Sequence, residues 1–170
     1  HRKFDEATAI LAADGLFALA FEVFVDAPGP ADRKLDAVYA VCRAVGPSGM
    51  TGGQLLDMDE ARGRGSDGRN STFRVLETHR KKTAEFIAAA IVAGAVLGGA
   101  APAVQRKLRQ AGLALGMLFQ MTDDLLDIEQ KSEAVRTTMV SSLGSARTAR
   151  RAASEAMKSE RLFRSLGTAY

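Results

Sequence analysis

The sequence is poor in the residues that favour sheets and cross-links. It contains no tryptophan, two tyrosines and one cysteine, and aromatic residues make up 6% of its 170 positions. The single cysteine, Cys42, excludes an internal disulfide framework and favours a reducing, cytoplasmic compartment. Because Cys42 lies in the apolar run 38–42, we expect it to pack as a small core residue.

Strong charge clusters and long apolar runs are also scarce. The formal net charge is +3, and the lysines and arginines are scattered, which argues against a nucleic-acid partner. The most apolar stretch, 86–101, is rich in alanine and glycine and falls short of the ~20 residues that a membrane helix needs. We therefore interpret it as a tight seam between helices and expect no membrane-spanning segment.

What remains is a helical pattern. Hydrophobic residues make up 46% of the chain, with Ala and Leu prominent, and no stretch alternates as a strand does. Breakers at 26–30 and a polar, glycine-rich stretch at 60–70 separate the helical segments. Helices are predicted at 4–25, 31–46, 50–57, 71–99, 101–128 and 145–165. The fold class is thus all-α, an antiparallel helical bundle in one domain over 1–170 that is incomplete at its N-terminal side.

The strongest chemical signal is a row of carboxylates. Gln120, Asp123, Asp124 and Asp127 are spaced i, i+3, i+4 and i+7, which places them on one face of a helix. Three like charges on an otherwise apolar helix repel one another and are costly to desolvate. A divalent cation relieves both costs, and Mg²⁺ shares carboxylates with water and phosphate oxygens. The alternative is that the three aspartates simply face water.

The same stretch carries a family resemblance. Residues 119–127 read FQMTDDLLD and resemble the second aspartate-rich motif of the trans-isoprenyl diphosphate synthases. Further stretches resemble that family in the same order, at 1–7 with 10–14, at 49–57 (GMTGGQLLD) and at 79–84 (HRKKTA). The resemblance extends to about Leu143 and implies a bundle of the isoprenoid synthase type.

The resemblance implies a reaction and its cofactor. Such enzymes ionise an allylic prenyl diphosphate, which releases diphosphate; the double bond of isopentenyl diphosphate attacks the resulting cation, and loss of a proton gives a longer trans-prenyl diphosphate. Asp123 and Asp127 would ligate Mg²⁺, with Asp124 supporting and completing that metal set. Lys82 would contact the leaving diphosphate, and Thr83 would stabilise the developing cation. For Lys82 the alternative is a solvated helix face.

Four further positions acquire roles from the resemblance. Gln120 would orient substrate or water, and Gln54 would line the same cavity, although a structural hydrogen bond within the bundle is an equal alternative for Gln54. His1 matches a position near the isopentenyl diphosphate site. Arg136 stands where the family has a lysine that contacts diphosphate.

The chain also departs from the family pattern. It lacks the first aspartate-rich motif, and the stretch 128–138 is shorter than the corresponding family loop, in which Lys131 is a possible remnant. Two rival functions therefore stay open: a non-catalytic helical partner subunit of a synthase, and a class I terpene cyclase. The segment 49–57 and the Lys82–Thr83 pair favour chain elongation over cyclisation.

The helix predicted at 4–25 is apolar on all sides. A single bundle buries only one stripe of such a helix, so a second surface must cover the remainder. The resemblance implies a homodimer of side-by-side bundles. The alternative is coverage by N-terminal helices of the same chain.

Overall fold

The computed structural model describes residues 2–62, 71–128 and 138–167, and these residues form helices and connecting turns with no strand. The predicted all-α antiparallel bundle is confirmed. Its α-helices are α1 (Glu6–Asp26), α2 (Ala31–Val45), α3 (Met50–Ala61), α4 (Ser71–His79), α5 (Glu85–Leu97), α6 (Pro102–Asp127), α7 (Met139–Leu143) and α8 (Ser145–Arg164).

Two elements differ from the prediction. The segment predicted as one helix at 71–99 contains a π-helical turn, Arg80–Ala84, between α4 and α5. The short helix α7 was not predicted, because five residues are too few to show a helical period; a capping box between Thr138 and Ser141 starts it. Both elements lie beside the carboxylate row.

The core is built mainly from alanine. Helices α2, α5, α6 and α8 pack as a row, and most of the buried hydrophobic residues in the described ranges are alanines. Along α6, Gly112 lies against Ala88 of α5 and Gly116 against Ala84 of the π turn, so closely that an added Cβ would overlap the backbone of each. Small residues therefore let two backbones touch and fix α6 relative to the π turn.

Helix α1 lies on the surface of this row. It contacts α2 and has no buried residue. The expectation that no segment is long and apolar enough to cross a bilayer is wrong for α1, whose most apolar window has a mean hydropathy of 1.9. Length and composition alone are weak evidence for a membrane span, because a protein-covered helix that is apolar all round passes the same test.

The expected core position of Cys42 is also wrong, because its thiol is exposed. Helix α2 buries Ala37 and Ala44, which are seven residues apart and share one face. Cys42 follows Ala37 by five residues, which turns it well away from that face.

We predict that Gly116→Ala destabilises the protein by about 1–3 kcal/mol, because the new methyl group would overlap the Cα of Ala84. The matched control is Gly94→Ala on α5, where an added Cβ meets nothing within 4 Å and helix propensity favours alanine by about 0.5–1 kcal/mol. Urea unfolding of both variants measures the difference. Equal stability of the two would contradict the proposed close contact.

Candidate active site

The three aspartates of α6 do not share one environment. Asp123 and Asp127 are exposed, whereas the side chain of Asp124 is only 11% exposed. Asp123 and Asp127 are four residues apart, one turn along the same face. Their carboxylates are therefore available to a ligand from solution, and that of Asp124 is turned into the protein.

Asp124 connects α6 to α7. Its Oδ2 accepts a hydrogen bond of 2.7 Å from the backbone N–H of Met139, and His79 Nε2 lies 3.6 Å from the same oxygen. The pKa of Asp124 is raised to about 6, chiefly by burial; the Met139 N–H opposes this rise, and the negative charges of Asp123, Asp127 and Asp57 contribute to it.

His79 is buried at the end of α4. Burial lowers its pKa to about 4; nearby Asp57 opposes the shift and Lys82 adds to it. The imidazole is therefore neutral at neutral pH. Its contact with Asp124 is a polar contact between a neutral ring and a carboxylate, too long for a good hydrogen bond.

Lys82 projects from the π turn towards α3. Its Nζ donates a hydrogen bond of 2.6 Å to Oδ2 of Asp57, while the preceding Lys81 pairs with Glu77 at 2.8 Å on its own helix. Gly53 makes this approach possible, because a Cβ there would overlap the backbone nitrogen of Lys82. The two neighbouring lysines thus form ion pairs with different helices, and Lys82 pairs with α3.

Of the remaining predicted site residues, the structure brings only some close to the aspartates. Thr83 and Gln120 are both partly buried, and within the described ranges neither side chain makes a hydrogen bond. Gln54 is exposed and lines a groove of about 570 Å³ formed by α3 and the turn before it, so no described contact joins it to the aspartates. His1 and Arg136, like Lys131, lie outside the described residues.

The described residues contain no group of three side chains that already converges as a metal cage. The donor set nevertheless fits Mg²⁺, which keeps several waters and is usually held by one or two carboxylates together with substrate phosphates. Asp123 and Asp127 supply two such carboxylates, exposed and one turn apart. Mg²⁺ bound there requires further oxygen ligands from outside this helix.

The family model for polyprenyl synthetases matches residues 1–143. The chain belongs to the polyprenyl synthetase family. This match covers every predicted site residue, including the carboxylate row and the Lys82–Thr83 pair.

Individual curated proteins similar to this chain support the same family assignment. It is 37% identical over 139 residues to the farnesyl diphosphate synthase of Geobacillus stearothermophilus, covering 79% of this chain and 45% of that protein. It is 37% identical over 144 residues to the farnesyl diphosphate synthase of Micrococcus luteus, covering 84% of this chain and 47% of that protein. The chain thus spans about half the length of the curated relatives it matches.

Solved structures resemble the whole bundle. A geranyltransferase from Helicobacter pylori, complexed with magnesium and isoprenyl diphosphate, superposes with a TM-score of 0.81 at 26% identity and covers 100% of this chain and 58% of that one. An FPP/GFPP synthase from Zymomonas mobilis gives a TM-score of 0.82 at 27% identity, covering 95% of this chain and 56% of that one.

Two residues of the site were missed from the sequence. Asp57 ends the stretch GMTGGQLLD, and its spacing of three from Gln54 is a signal that it faces the same side. His79 begins the stretch HRKKTA, but a lone histidine forms no pattern that indicates a role. No one-dimensional pattern reveals that Asp57 meets Lys82 or that His79 meets Asp124.

We predict that His79→Gln reduces the loss of stability between pH 7 and pH 5. Folded His79, with a pKa near 4, takes up little proton at pH 5, whereas unfolded His79, near 6.5, is mostly protonated. The unfolded state then binds more protons, so stability is complete above about pH 7 and falls on acidification. At pH 5 this loss is about 2 kcal/mol.

Urea unfolding of parent and His79→Gln at both pH values measures this difference. The raised pKa of Asp124 acts in the opposite sense and is present in both proteins. The same acid-induced loss in parent and variant would show that His79 does not resist protonation in the fold.

Proposed function

We propose that this protein is a prenyltransferase that condenses an allylic prenyl diphosphate with isopentenyl diphosphate, giving a longer trans-prenyl diphosphate of the farnesyl or geranylgeranyl type. The observation that carries the proposal is that α6 bears two exposed carboxylates, Asp123 and Asp127, and that the π turn packed against α6 bears Lys82, within a chain of the polyprenyl synthetase family. Cation-binding and anion-binding groups on adjacent elements suit a diphosphate leaving group.

Lys82 is the group of this chain that meets diphosphate. It is held by Asp57 at 2.6 Å, and both side chains keep about a quarter of their surface exposed. This pairing orients the ammonium and leaves room for a second anionic partner, since an ammonium has three donors. Thr83, next on the same turn, supplies its hydroxyl and carbonyl oxygens to positive charge that develops on the allylic carbon, and Gln120 orients the substrate.

Asp123 and Asp127 would hold Mg²⁺. Bound there, the ion neutralises diphosphate oxygens and makes diphosphate a better leaving group. A structure of the Helicobacter pylori geranyltransferase, which this chain resembles, contains magnesium and isoprenyl diphosphate, which supports magnesium as the ion. Asp124 supports this site from within the protein, where it contacts Met139 and His79.

An apolar strip continues from the carboxylates along α6. Leu115 and Phe119 precede Asp123 by eight and four residues, which places all three on one face. Their side chains are 38% and 56% exposed, large values for such apolar groups. A prenyl tail next to its diphosphate head needs a surface of this kind, and Gln54 remains a candidate for a more distant wall.

The comparisons favour chain elongation over the two rival functions. The similar curated proteins are farnesyl and geranylgeranyl diphosphate synthases, which supports a synthase rather than a class I cyclase. A non-catalytic partner subunit has no need of exposed carboxylates beside a positioned lysine. We further infer a cytoplasmic location, for which the exposed thiol of Cys42 fits a reducing compartment.

We infer a homodimer with α1 at or near its seam. Seven large apolar residues of α1 are 50% to 70% exposed, namely Ile10, Leu11, Leu16, Phe17, Leu19, Val23 and Val25. An apolar surface of this extent usually marks an interface. A second copy would bring the same apolar surface to cover it; the charged residues of α1 are four acidic ones, Glu6, Asp14, Glu22 and Asp26.

For activity, we predict that Asp123→Ala in the complete protein lowers turnover at least ~100-fold, as expected on losing one electrostatic partner of a leaving group. The apo variant should melt no lower than the parent, because a like charge leaves a crowded row. Asp36→Ala, an exposed aspartate on α2, is the control and should retain activity. An apo Asp123→Ala protein that melts much lower would make Asp123 a structural residue.

For assembly, sedimentation of the complete protein at micromolar concentration should give the mass of a dimer. Leu16→Glu on α1, an exposed position, should shift the protein to monomers by placing an unpaired charge in an apolar seam. A parent protein that sediments as a monomer would instead favour coverage of α1 within one chain.

A further inference from the structure

The three aspartates of the motif differ in their contacts with the rest of the protein. Asp123 and Asp127 are exposed, and neither makes a hydrogen bond or ion pair within the described ranges. Asp124 is nearly buried and contacts two other elements through one oxygen, the Met139 N–H at 2.7 Å and the His79 ring at 3.6 Å. A residue committed to two protein partners is poorly placed to turn towards a ligand.

Met139 needs the acceptor that Asp124 provides. It is the first residue of α7, and the first N–H groups of a helix have no partner within the helix. The capping box between Thr138 and Ser141 satisfies two neighbouring N–H groups, which leaves that of Met139 for Asp124.

The side chain of Met139 lies in the core. It is fully buried and packs with Val75, Met121 and Ala152, which come from α4, α6 and α8. The Asp124 hydrogen bond is thus made at the edge of the cluster that joins these helices. Loss of the acceptor leaves a backbone donor at this edge without its partner.

His79 contacts the same oxygen of Asp124, with its Nε2 at 3.6 Å. It ends α4 immediately before the π turn that carries Lys82. Asp124 therefore links the C-terminal turn of α6 to α7 and to the start of the turn that presents Lys82.

We propose that Asp124 is a positioning residue, not a magnesium ligand: by accepting the Met139 N–H beside His79, it fixes α7 and the π turn against α6 and keeps Asp123 and Asp127 turned to the open side. The proposal deepens the proposed prenyltransferase function and rests on it for its effect on turnover, although the structural link itself does not.

Conservative and truncating variants of the complete enzyme separate the two roles. Asp124→Asn keeps an oxygen that accepts the Met139 N–H but loses the charge that a metal ligand needs. We expect it to keep turnover within about threefold of the parent, with an unchanged Mg²⁺ concentration for half-maximal rate. Asp124→Ala should lose about tenfold or more in turnover and melt at least about 3 °C lower without ligands.

Asp123→Asn is the matched control, because it makes the same chemical change one position away. It should lose turnover by about 100-fold while its apo melting temperature stays at the parental value. If Asp124→Asn is as inactive as Asp123→Asn and needs more Mg²⁺, Asp124 is a ligand and the proposal fails.

Failure of the proposed function gives a different result. If Asp123→Asn retains full activity, or if the parent turns over no prenyl diphosphate, the prenyltransferase proposal falls. The apo melting temperatures still decide the positioning role, since only Asp124→Ala should melt lower. Equal apo melting temperatures for Asp124→Ala and parent would overturn it.

Discussion

The repulsion among acidic groups at the end of α6 is the constraint on which the rest of the site depends. Three aspartates lie in the last five residues of this helix, where the helix dipole adds further negative potential. Isolated, these charges oppose both folding and burial. The repulsion is relieved differently for different aspartates, and this determines which of them can bind a ligand.

One of the three carboxylates is mostly buried in the protein, and the other two are exposed to solvent. Asp124 accepts a hydrogen bond from the N–H of Met139 and packs beside a neutral His79. Asp123 and Asp127 stay exposed, which costs little in water and keeps them free for a cation. A division of this kind lets one short motif serve both stability and ligand binding.

The lysine side of the site depends on close backbone packing. The π turn carrying Lys82 lies between Gly53 of α3 and Gly116 of α6, and a methyl group at either glycine would overlap its backbone. This packing brings Lys82 to Asp57. Positive and negative groups are thus set on separate helices whose spacing is fixed by backbone contact, which is how a site becomes preorganised for a charged substrate.

Much of this was predictable from the sequence, and the limits have physical causes. Helical periodicity gave the long helices and put Asp123 and Asp127 on one face, because that period is local. The contacts of Asp57 with Lys82 and of Met139 with Asp124 join residues 25 and 15 positions apart, so they arise from packing. The π turn has no periodic signature, and the burial of Asp124 depends on α7, which is too short to predict.

The most direct test of this account is a thermal melt of the complete protein with Mg²⁺, with a bisphosphonate analogue of diphosphate, and with both. If the acidic end of α6 needs a shared cation and anion, the two together should raise stability by more than the sum of their separate effects. Linkage gives a total rise of about 2.7 kcal/mol for a ligand at a hundredfold excess over its dissociation constant. Separate effects that simply add, or no effect of either, would contradict it.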